Sequence, residues 1–204
     1  MLVTVPGRDV LDAFELAGSP VVLAGGEGRS VRVGDVVLKP ADGDLQAAEW
    51  LARTMACIPE EGFRISRPLH TADGAWIYHG WTASRYVPGA EPDHGAAPRW
   101  LEIIAAGRAF HRVLAGLPRP DFLDRRSNWW ETGSKVAWQE RGPDLIAGFH
   151  TPYMELSALL VSPPGEQPQL IHGDLTGNVL FAPGLAPAVI ENPPTIWCCS
   201  GWVA

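Results

Sequence analysis

The chain has 204 residues, of which 46% are hydrophobic and 19% charged, so it can bury a sizeable core and is not disordered overall. Its formal net charge of −7 argues against a general nucleic-acid or membrane-surface binder, since such proteins carry a basic surface. No apolar run approaches the ~18 residues of a membrane span, and no cationic leader opens the chain. The three cysteines, of which Cys198 and Cys199 are adjacent, form neither a metal-ligand spacing nor a disulfide framework. We therefore expect a cytoplasmic protein without a nucleic-acid or membrane partner.

The first half of the sequence predicts an antiparallel sheet with a helix beside it. Short apolar runs separated by tight turns such as Gly34-Asp35 are typical of strands joined as hairpins. Apolar residues at helical spacing, bounded by turn residues, predict the helices. The elements expected here are a helix at 8–17, strands at 21–23, 31–33 and 36–39, a helix at 44–56, and strands at 63–69 and 75–78.

The second half begins with residues 81–98, which are rich in Gly, Pro and Ala and predict a connector. The clearest helix follows, because Ile103, Phe110 and Leu114 lie on one apolar stripe. The elements expected here are a helix at 100–117, turns and short helices over 119–168, and strand, loop, strand, turn and strand over 169–191. A sheet-rich half, a connector and a helical half predict two lobes with a cleft between them.

A polar loop between two apolar strands carries the strongest chemical signal. Its sequence is His172-Gly173-Asp174-Leu175-Thr176-Gly177-Asn178, so a carboxylate is followed four residues later by a side-chain amide. Phosphoryl transfer from ATP needs such a pair, because a carboxylate orients or deprotonates the acceptor hydroxyl and an oxygen ligand nearby holds Mg²⁺. As an alternative, Asp174 caps an Asx-turn in an ordinary surface hairpin.

Two upstream features suit the same chemistry. The turn Gly25-Gly26-Glu27-Gly28-Arg29-Ser30 lies between two predicted strands, where backbone N–H groups can approach phosphate oxygens. Lys39 ends a strand, and Glu49 follows ten residues later on a helix, where an ion pair would hold the lysine in the cleft. The alternatives are a plain hairpin turn, a strand-end lysine in water and a solvated helix glutamate.

Together these motifs resemble the aminoglycoside phosphotransferase and choline kinase group, the small-molecule branch of the protein-kinase-like fold. The resemblance covers residues 8–191 and is carried by the H-G-D-x-x-x-N core between two strands and by the order of the other parts. It implies an α+β two-lobed fold, with a nucleotide-binding lobe at 1–84, a hinge near 78–90 and a catalytic lobe at 85–204. It also implies a kinase that uses ATP and Mg²⁺ to phosphorylate a hydroxyl of a small molecule.

The resemblance further implies a role for each matching residue. These roles are a catalytic base or orienting carboxylate for Asp174, magnesium ligation for Asn178 and Glu191, phosphate contacts for Lys39 held by Glu49, a phosphate cover for Gly25, Gly26, Gly28 and Ser30, and backbone contacts to adenine for Trp81 and Ala83. Where the family builds its acceptor site, aromatic and acidic residues could bind an amine or a sugar, although core filling explains the aromatics as well. These residues are Asp124, Trp129, Trp130, Glu131, Trp138 and Glu140.

The sequence departs from the family pattern in three places. One residue is missing between Asp174 and Asn178, Glu191 stands where the family has Asp, and residues 192–204 replace the helices that normally complete the large lobe. A frameshifted or prematurely ended terminus would explain that uncharged tail. Two hypotheses compete with the kinase: a kinase-like protein that binds nucleotide or a partner without turnover, and a defective product with no activity.

Overall fold

The amino-terminal lobe is built on an antiparallel sheet of five short strands. The structure is a computed structural model and describes residues 5–23, 28–41, 43–92, 99–125, 129–137, 140–159, 168–190 and 194–199. The strands are β1 (Val21–Val22), β2 (Val31–Val33), β3 (Val36–Pro40), β4 (Arg64–Ile65), β5 (Pro68–Leu69), β6 (Trp81–Arg85), β7 (Pro168–His172), β8 (Val179–Leu180), β9 (Ala188–Val189) and β10 (Pro194–Cys199). The helices are α1 (Arg8–Ala13), α2 (Leu45–Cys57), α3 (Trp100–Leu114), α4 (Phe122–Arg125), α5 (Trp129–Ala137) and α6 (His150–Ala158). The five-stranded sheet has the order β1-β2-β3-β6-β5.

The expected two-lobed α+β fold is confirmed, and most predicted elements lie where the sequence patterns put them. Local signals set the boundaries of these elements. At the start of α2, for example, the Asp44 carboxylate accepts hydrogen bonds from the N–H groups of Gln46 and Ala47, at 3.0 and 3.2 Å. Such an N-cap satisfies N–H groups that have no partner inside the helix. The β7-loop-β8 element and β9 are also confirmed.

The connector expected at 81–98 is wrong at its start, because its first five residues form β6. Tyr78 and Trp81 exchange two backbone hydrogen bonds, of 2.9 and 2.8 Å, across the turn His79-Gly80. Both turn residues have positive φ, 45° and 78°, as a tight turn between antiparallel segments requires. The strand expected at 75–78 is therefore not formed beyond this bridge, and β6 takes its place in the sheet.

The strand expected at 63–69 is divided into two strands that join different sheets. β4 pairs in parallel with β9, with Arg64 opposite Ala188, and completes a small sheet of order β4-β9-β8. β5 pairs with β6 at the edge of the five-stranded sheet. The division cannot be seen in the local sequence, because the partner of β4 lies more than a hundred residues away.

Two apolar clusters stabilise the fold, and they differ in what they join. The first lies between α1 and the large sheet, and its members are Val10, Leu11, Phe14, Val33, Leu38, Trp81 and Ala83. The second joins α2 and β4 to α3, α4, β7, β8 and β9, and its members are Ala47, Met55, Ile58, Phe63, Ile65, Ile103, Ala106, Ala109, Phe110, Leu114, Phe122, Leu123, Leu170, Val179 and Val189. Elements of the amino-terminal half therefore complete the core of the other half.

Residues 194–199 form a strand beside the one that leads into the polar loop. β10 runs antiparallel to β7, with Trp197 opposite Leu170, and the ladder is irregular between Pro194 and Ile196. The remainder of the tail that the sequence set apart, like Glu191, lies outside the described residues. Within the described ranges, no helix combines the length and apolar character that crossing a membrane requires.

Arg67 closes the carboxyl end of α2 from the neighbouring strand segment. Its guanidinium donates to the carbonyl oxygens of Met55, Ala56 and Ile58 at 3.1, 3.1 and 2.8 Å, and to the Glu60 carboxylate at 2.7 Å. A cation at this end of a helix also complements the helix dipole. Arg67 therefore fixes α2 against the sheet.

We predict that Arg67→Met lowers the free energy of unfolding by about 2–3 kcal/mol, because buried carbonyls lose charged donors. The matched control is Arg53→Met on the same helix, which removes only an exposed i,i+4 pair with Glu49 and should change stability by less than about 0.5 kcal/mol. Urea unfolding of the three proteins measures both values. Equal losses in the two variants would contradict the capping role.

Candidate functional site

The loop between β7 and β8 holds the expected carboxylate in a defined backbone conformation. Asp174 is exposed on this loop, and its carbonyl oxygen accepts a hydrogen bond from Asn178 Nδ2 at 2.8 Å. The N–H of Asn178 donates to the carbonyl of Leu175 at 3.0 Å, and Gly177 between them has φ +82°. Asn178 then accepts a backbone hydrogen bond from Ile190 at 2.9 Å. The loop is thus closed on itself and tied to the end of β9.

His172 supports this loop from below through both ring nitrogens. Its Nδ1 accepts a hydrogen bond from the backbone N–H of Asp174 at 3.1 Å, and its Nε2 lies 3.0 Å from the carbonyl oxygen of Ile190. Because Nδ1 is the acceptor, the hydrogen-bond pattern assigns the proton to Nε2, which donates to Ile190. The ring is buried, with 3% of its surface exposed, and packs edge-on against Phe110. His172 therefore holds the loop through hydrogen bonds and packing.

His111 on α3 holds His172 in turn. The backbone N–H of His172 donates to His111 Nε2 at 2.9 Å, so the His111 ring is neutral with its proton on Nδ1. Among the described residues this Nδ1 has no hydrogen-bond partner. Burial, and next the proximity of His172, lowers the pKa of His111 from 6.5 to about 4.

Gly107, one turn before His111, lets the same helix approach the loop. A Cβ at this position would lie 2.3 Å from Cδ1 of Leu175, the residue after Asp174. Leu175 therefore packs directly on the backbone of α3. Gly107 and His111, on one face of α3, thus set how closely the loop approaches the helix.

The amino-terminal residues of the predicted site are only partly brought together. Lys39 lies on β3 opposite Thr82, whose hydroxyl donates to the Lys39 carbonyl at 3.0 Å. Glu49 does not form the expected ion pair with Lys39, because its carboxylate bonds Arg53 on its own helix at 2.7 Å. Arg53 lies one helical turn after Glu49, and side chains at this spacing are neighbours on the helix surface, whereas Lys39 is on a different element.

The Gly-rich turn is described only at its end. Gly28 has φ +69°, and no heavy atom of the described residues lies near the position of its Cβ. Ser30 is buried, and its carbonyl accepts the N–H of Leu23 at 2.9 Å. This conformation suits a tight turn that leads into β2. The predicted phosphate contacts of Gly25 and Gly26 lie outside the described residues.

The backbone contacts predicted for Trp81 and Ala83 are wrong, because these residues lie inside the sheet. Both side chains are buried. The N–H and the carbonyl of Trp81 are both hydrogen-bonded to Tyr78, and Ala83 is paired with β3 and β5. No backbone group of either residue is left to face a nucleotide base. The sequence missed β6 because the Gly- and Pro-rich residues that follow dominate the composition of the segment.

The chain leaves the sheet at residues 86–90, which therefore form the crossing between the lobes. Ala90 and Phe181 exchange two backbone hydrogen bonds of 3.0 and 2.9 Å, so this crossing pairs with the strand that follows the polar loop. Gly89 has φ +152°, and a Cβ there would lie 2.8 Å from the Cβ of Leu180. Only glycine allows the two segments to approach this closely.

Arg64 fastens the same crossing from the other side. Its Nε donates to the carbonyl of Ala186 at 2.7 Å, and a terminal nitrogen donates to the carbonyl of Pro88 at 3.1 Å. One guanidinium therefore joins the crossing to the turn between β8 and β9. Sequence reasoning missed this role, since both partners are distant along the chain.

The oxygen ligands available at the loop suit Mg²⁺. Since Nδ2 of Asn178 is bonded to the Asp174 backbone, its Oδ1 is the atom left for a cation, and the exposed Asp174 carboxylate is of the same hard oxygen type. Among the described residues no group of three or more His, Cys, Asp or Glu forms a metal cluster. The second predicted ligand, Glu191, lies beyond the described part of this segment.

The predicted acceptor residues are not assembled by the described structure. The Arg119 guanidinium, 2.8 Å from Asp124, lowers the pKa of that carboxyl, and Glu140 is exposed. The structure describes the backbone of Trp129, Trp130 and Glu131 within α5, whereas Trp138 lies outside the described residues. An acceptor site at these positions stays a prediction.

We predict that Gly89→Ala destabilises the protein by about 2–4 kcal/mol, because the new methyl group meets Leu180 and the φ angle is unfavourable. The control is Gly184→Ala, where φ is +73° but no atom of the described residues lies within 4 Å of the added Cβ, so only backbone strain of about 1 kcal/mol remains. Thermal unfolding compares the two variants. Equal losses of stability in the two variants would contradict the close packing of Gly89 against Leu180.

The lowered pKa of His111 predicts a loss of stability in acid. Above pH 6.5 the ring is neutral in both the folded and the unfolded chain, whereas between pH 6.5 and about 4 only the unfolded chain takes up the proton. By this linkage the group removes about 2 kcal/mol of stability between pH 7.5 and 5.

Urea unfolding at both pH values measures the effect. His111→Leu has no titrating group there and should lose about 2 kcal/mol less than the wild type over this interval. Identical pH dependence of the two proteins would contradict the buried neutral histidine.

Comparison with known proteins identifies a family to which the sequence is similar. A family model described as "Phosphotransferase enzyme family" matches residues 19–190. No protein of curated function matches the chain in a sequence comparison. Solved structures do match it over most of its length. Their sequence identities are low, so the likeness shows a shared fold.

Three of these structures illustrate the likeness. The streptomycin–ATP–APH(2″)-IIa ternary complex matches with a TM-score of 0.54 at 15% identity, over 97% of this chain and 73% of that chain. The amicoumacin kinase hAmiN, in complex with AMP-PNP, Ca²⁺ and Ami, matches with a TM-score of 0.57 at 14% identity, over 94% and 63%. Spectinomycin phosphotransferase APH(9)-Ia, in complex with ADP and spectinomycin, matches with a TM-score of 0.51 at 14% identity, over 93% and 68%. The chain thus spans between 63% and 73% of their lengths.

Proposed function

The chain belongs to the phosphotransferase enzyme family, and we propose that it transfers the γ-phosphoryl group of ATP to a hydroxyl of a small molecule. The observation that carries the proposal is the exposed carboxylate of Asp174 on a loop whose backbone is fixed by Asn178, His172 and β9. Phosphoryl transfer depends mainly on positioning and on charge, so a carboxylate held in this way suits it.

In this proposal Asp174 orients the acceptor hydroxyl and receives its proton. The hydroxyl oxygen forms a bond to the γ-phosphorus while the bond between that phosphorus and the bridging oxygen breaks, and ADP departs. Lys39 on β3 contacts the phosphates, and the turn of Gly25, Gly26, Gly28 and Ser30 covers them. Asn178 and Glu191 hold Mg²⁺, which neutralises phosphate charge when bound.

The adenine base is proposed to lie against the crossing at residues 86–90. Trp81 and Ala83 have no free backbone groups. The crossing passes directly beside Phe181, after the polar loop and β8, and since Ala90 already pairs with Phe181, the proposed contacts are to the backbone of residues 86–89. Backbone groups of an extended segment are the usual partners of a base that leaves no side-chain signature. This assignment replaces the one that the family resemblance implied.

The substrate classes are proposed from the complexes of similar structures. Those complexes hold a nucleotide, namely ATP, AMP-PNP or ADP, together with a small molecule such as streptomycin, Ami or spectinomycin. We infer the same two classes here, a nucleoside triphosphate and a small hydroxyl-bearing acceptor. The fold alone does not select the acceptor.

One observation favours the second candidate, a kinase-like protein that binds nucleotide without turnover. Glu49 pairs with Arg53 on its own helix and not, as the resemblance implied, with Lys39. The replacement of Asp by Glu at position 191 points the same way, since Mg²⁺ demands near-octahedral geometry and the longer side chain shifts the carboxylate. Turnover and binding must therefore be measured separately.

We predict that Mg²⁺-ATP stabilises the wild-type protein in a thermal melt, by about 2.7 kcal/mol at a hundredfold excess over Kd. Lys39→Ala should lose this shift, whereas Lys135→Ala, which changes the other lysine of the chain, should keep it. Asp174→Asn should keep the shift and lose ATP turnover.

The outcomes separate the candidates. A shift with turnover that Asp174→Asn abolishes supports the kinase, and a shift without any turnover in the wild type supports the nucleotide-binding alternative. A cooperative melt with no shift at saturating Mg²⁺-ATP would refute both.

A further inference from the structure

We propose that His111 is a positioning residue for the loop that carries Asp174. It touches neither the cleft nor the proposed substrates, and no sequence motif marked it for function. The inference deepens the proposed function, because it names a residue outside the site on which the geometry of that site depends. Three contacts follow one another from His111 through His172 to the loop and to Ile190.

The contacts lead from α3 to the backbone N–H of Asp174 in two steps. His111 Nε2 accepts the backbone N–H of His172 at 2.9 Å. The His172 ring then accepts the N–H of Asp174 at 3.1 Å and lies 3.0 Å from the carbonyl of Ile190. His172 can keep both contacts only if its own backbone stays where His111 holds it.

The ladder of β7 cannot supply this anchor by itself. Its partner β10 reaches His172 at Pro194, where the register shifts before Ile196. Regular strand pairing therefore ends at the residue from which the loop departs. The N–H of His172 donates to the His111 side chain on α3, so the helix holds the backbone at the point where the ladder becomes irregular.

The residue type at position 111 also argues for positioning. The site is buried, with 3% of the His111 surface exposed, and lies beside Phe110, so an apolar side chain would fill it without polar atoms. The histidine instead buries Nδ1, which has no hydrogen-bond partner among the described residues. A buried polar atom without a partner lowers stability, and such a group calls for a compensating role. The acceptor at Nε2 is that role.

The anchor acts on both halves of the proposed site. Asp174 is held through its N–H, and the carbonyl of Ile190 is held directly before position 191, the expected second metal ligand. A displacement of about 1 Å in such groups can lower the rate about 100-fold. His111 is therefore expected to affect turnover more than nucleotide affinity.

Three substitutions separate the acceptor from the volume of the side chain. His111→Gln keeps an acceptor at the position of Nε2, His111→Asn offers one only at the position of Nδ1, and His111→Leu offers none. Gln and Asn carry the same buried amide, so a difference between them cannot come from polarity alone. Thermal melts identify the variants that remain folded.

The first readout is the rate of hydrogen exchange at the backbone amides of His172 and Asp174, measured by NMR on the whole chain. We expect exchange at least about tenfold faster in the Asn and Leu variants, and within about threefold of wild type in the Gln variant. This readout needs no substrate, so it decides the positioning role even if the proposed function fails.

The second readout is ATP turnover with its kcat and KM for Mg²⁺-ATP. We expect kcat to fall about 30-fold or more in the Asn and Leu variants, with KM within about twofold and recovery of most of kcat in the Gln variant. Folded Asn and Leu variants with unchanged exchange at His172 and Asp174 would overturn the proposal. A Gln variant that behaves like the Leu variant would overturn it as well.

Discussion

The site depends on the ring of His172, which must be a hydrogen-bond acceptor at Nδ1 and a donor at Nε2 at the same time. Only the neutral ring satisfies both demands, and only in one tautomer. That ring bonds the loop of Asp174 and the end of β9, and the backbone N–H of the same residue bonds helix α3, so His172 connects three segments that are far apart along the chain. Burial keeps water from competing for these bonds, so the arrangement is stable as long as the ring stays neutral and its backbone stays anchored.

The sequence allowed prediction of the parts whose signals are local. The polar loop lies between two strands as expected, the N-cap at Asp44 begins α2, and the apolar stripe of α3 is buried at Ile103, Phe110 and Leu114. In each case the residues that decide the structure are within a few positions of one another. The family resemblance rested on the same local signals, and the family model agrees with it.

The remaining features depend on partners that are distant in sequence. β4 is separated from β5 because it pairs with β9, and Arg64 contacts Ala186 across 122 positions. Glu49 illustrates the opposite case, since a nearby arginine on the same helix was overlooked in favour of a lysine on another element. Spacing alone could not place the crossing at 86–90 either, because β6 is set by its pairing with β3 and its burial in the core.

The second apolar cluster has a consequence for how the chain can be divided. Met55, Ile58 and Phe63 precede the crossing but are buried among residues of α3, β7 and β9. A fragment cut near residue 84 would expose these side chains to water and would leave the carboxyl-terminal piece with an open core. The two lobes therefore make up one folding unit, which should unfold in a single cooperative transition.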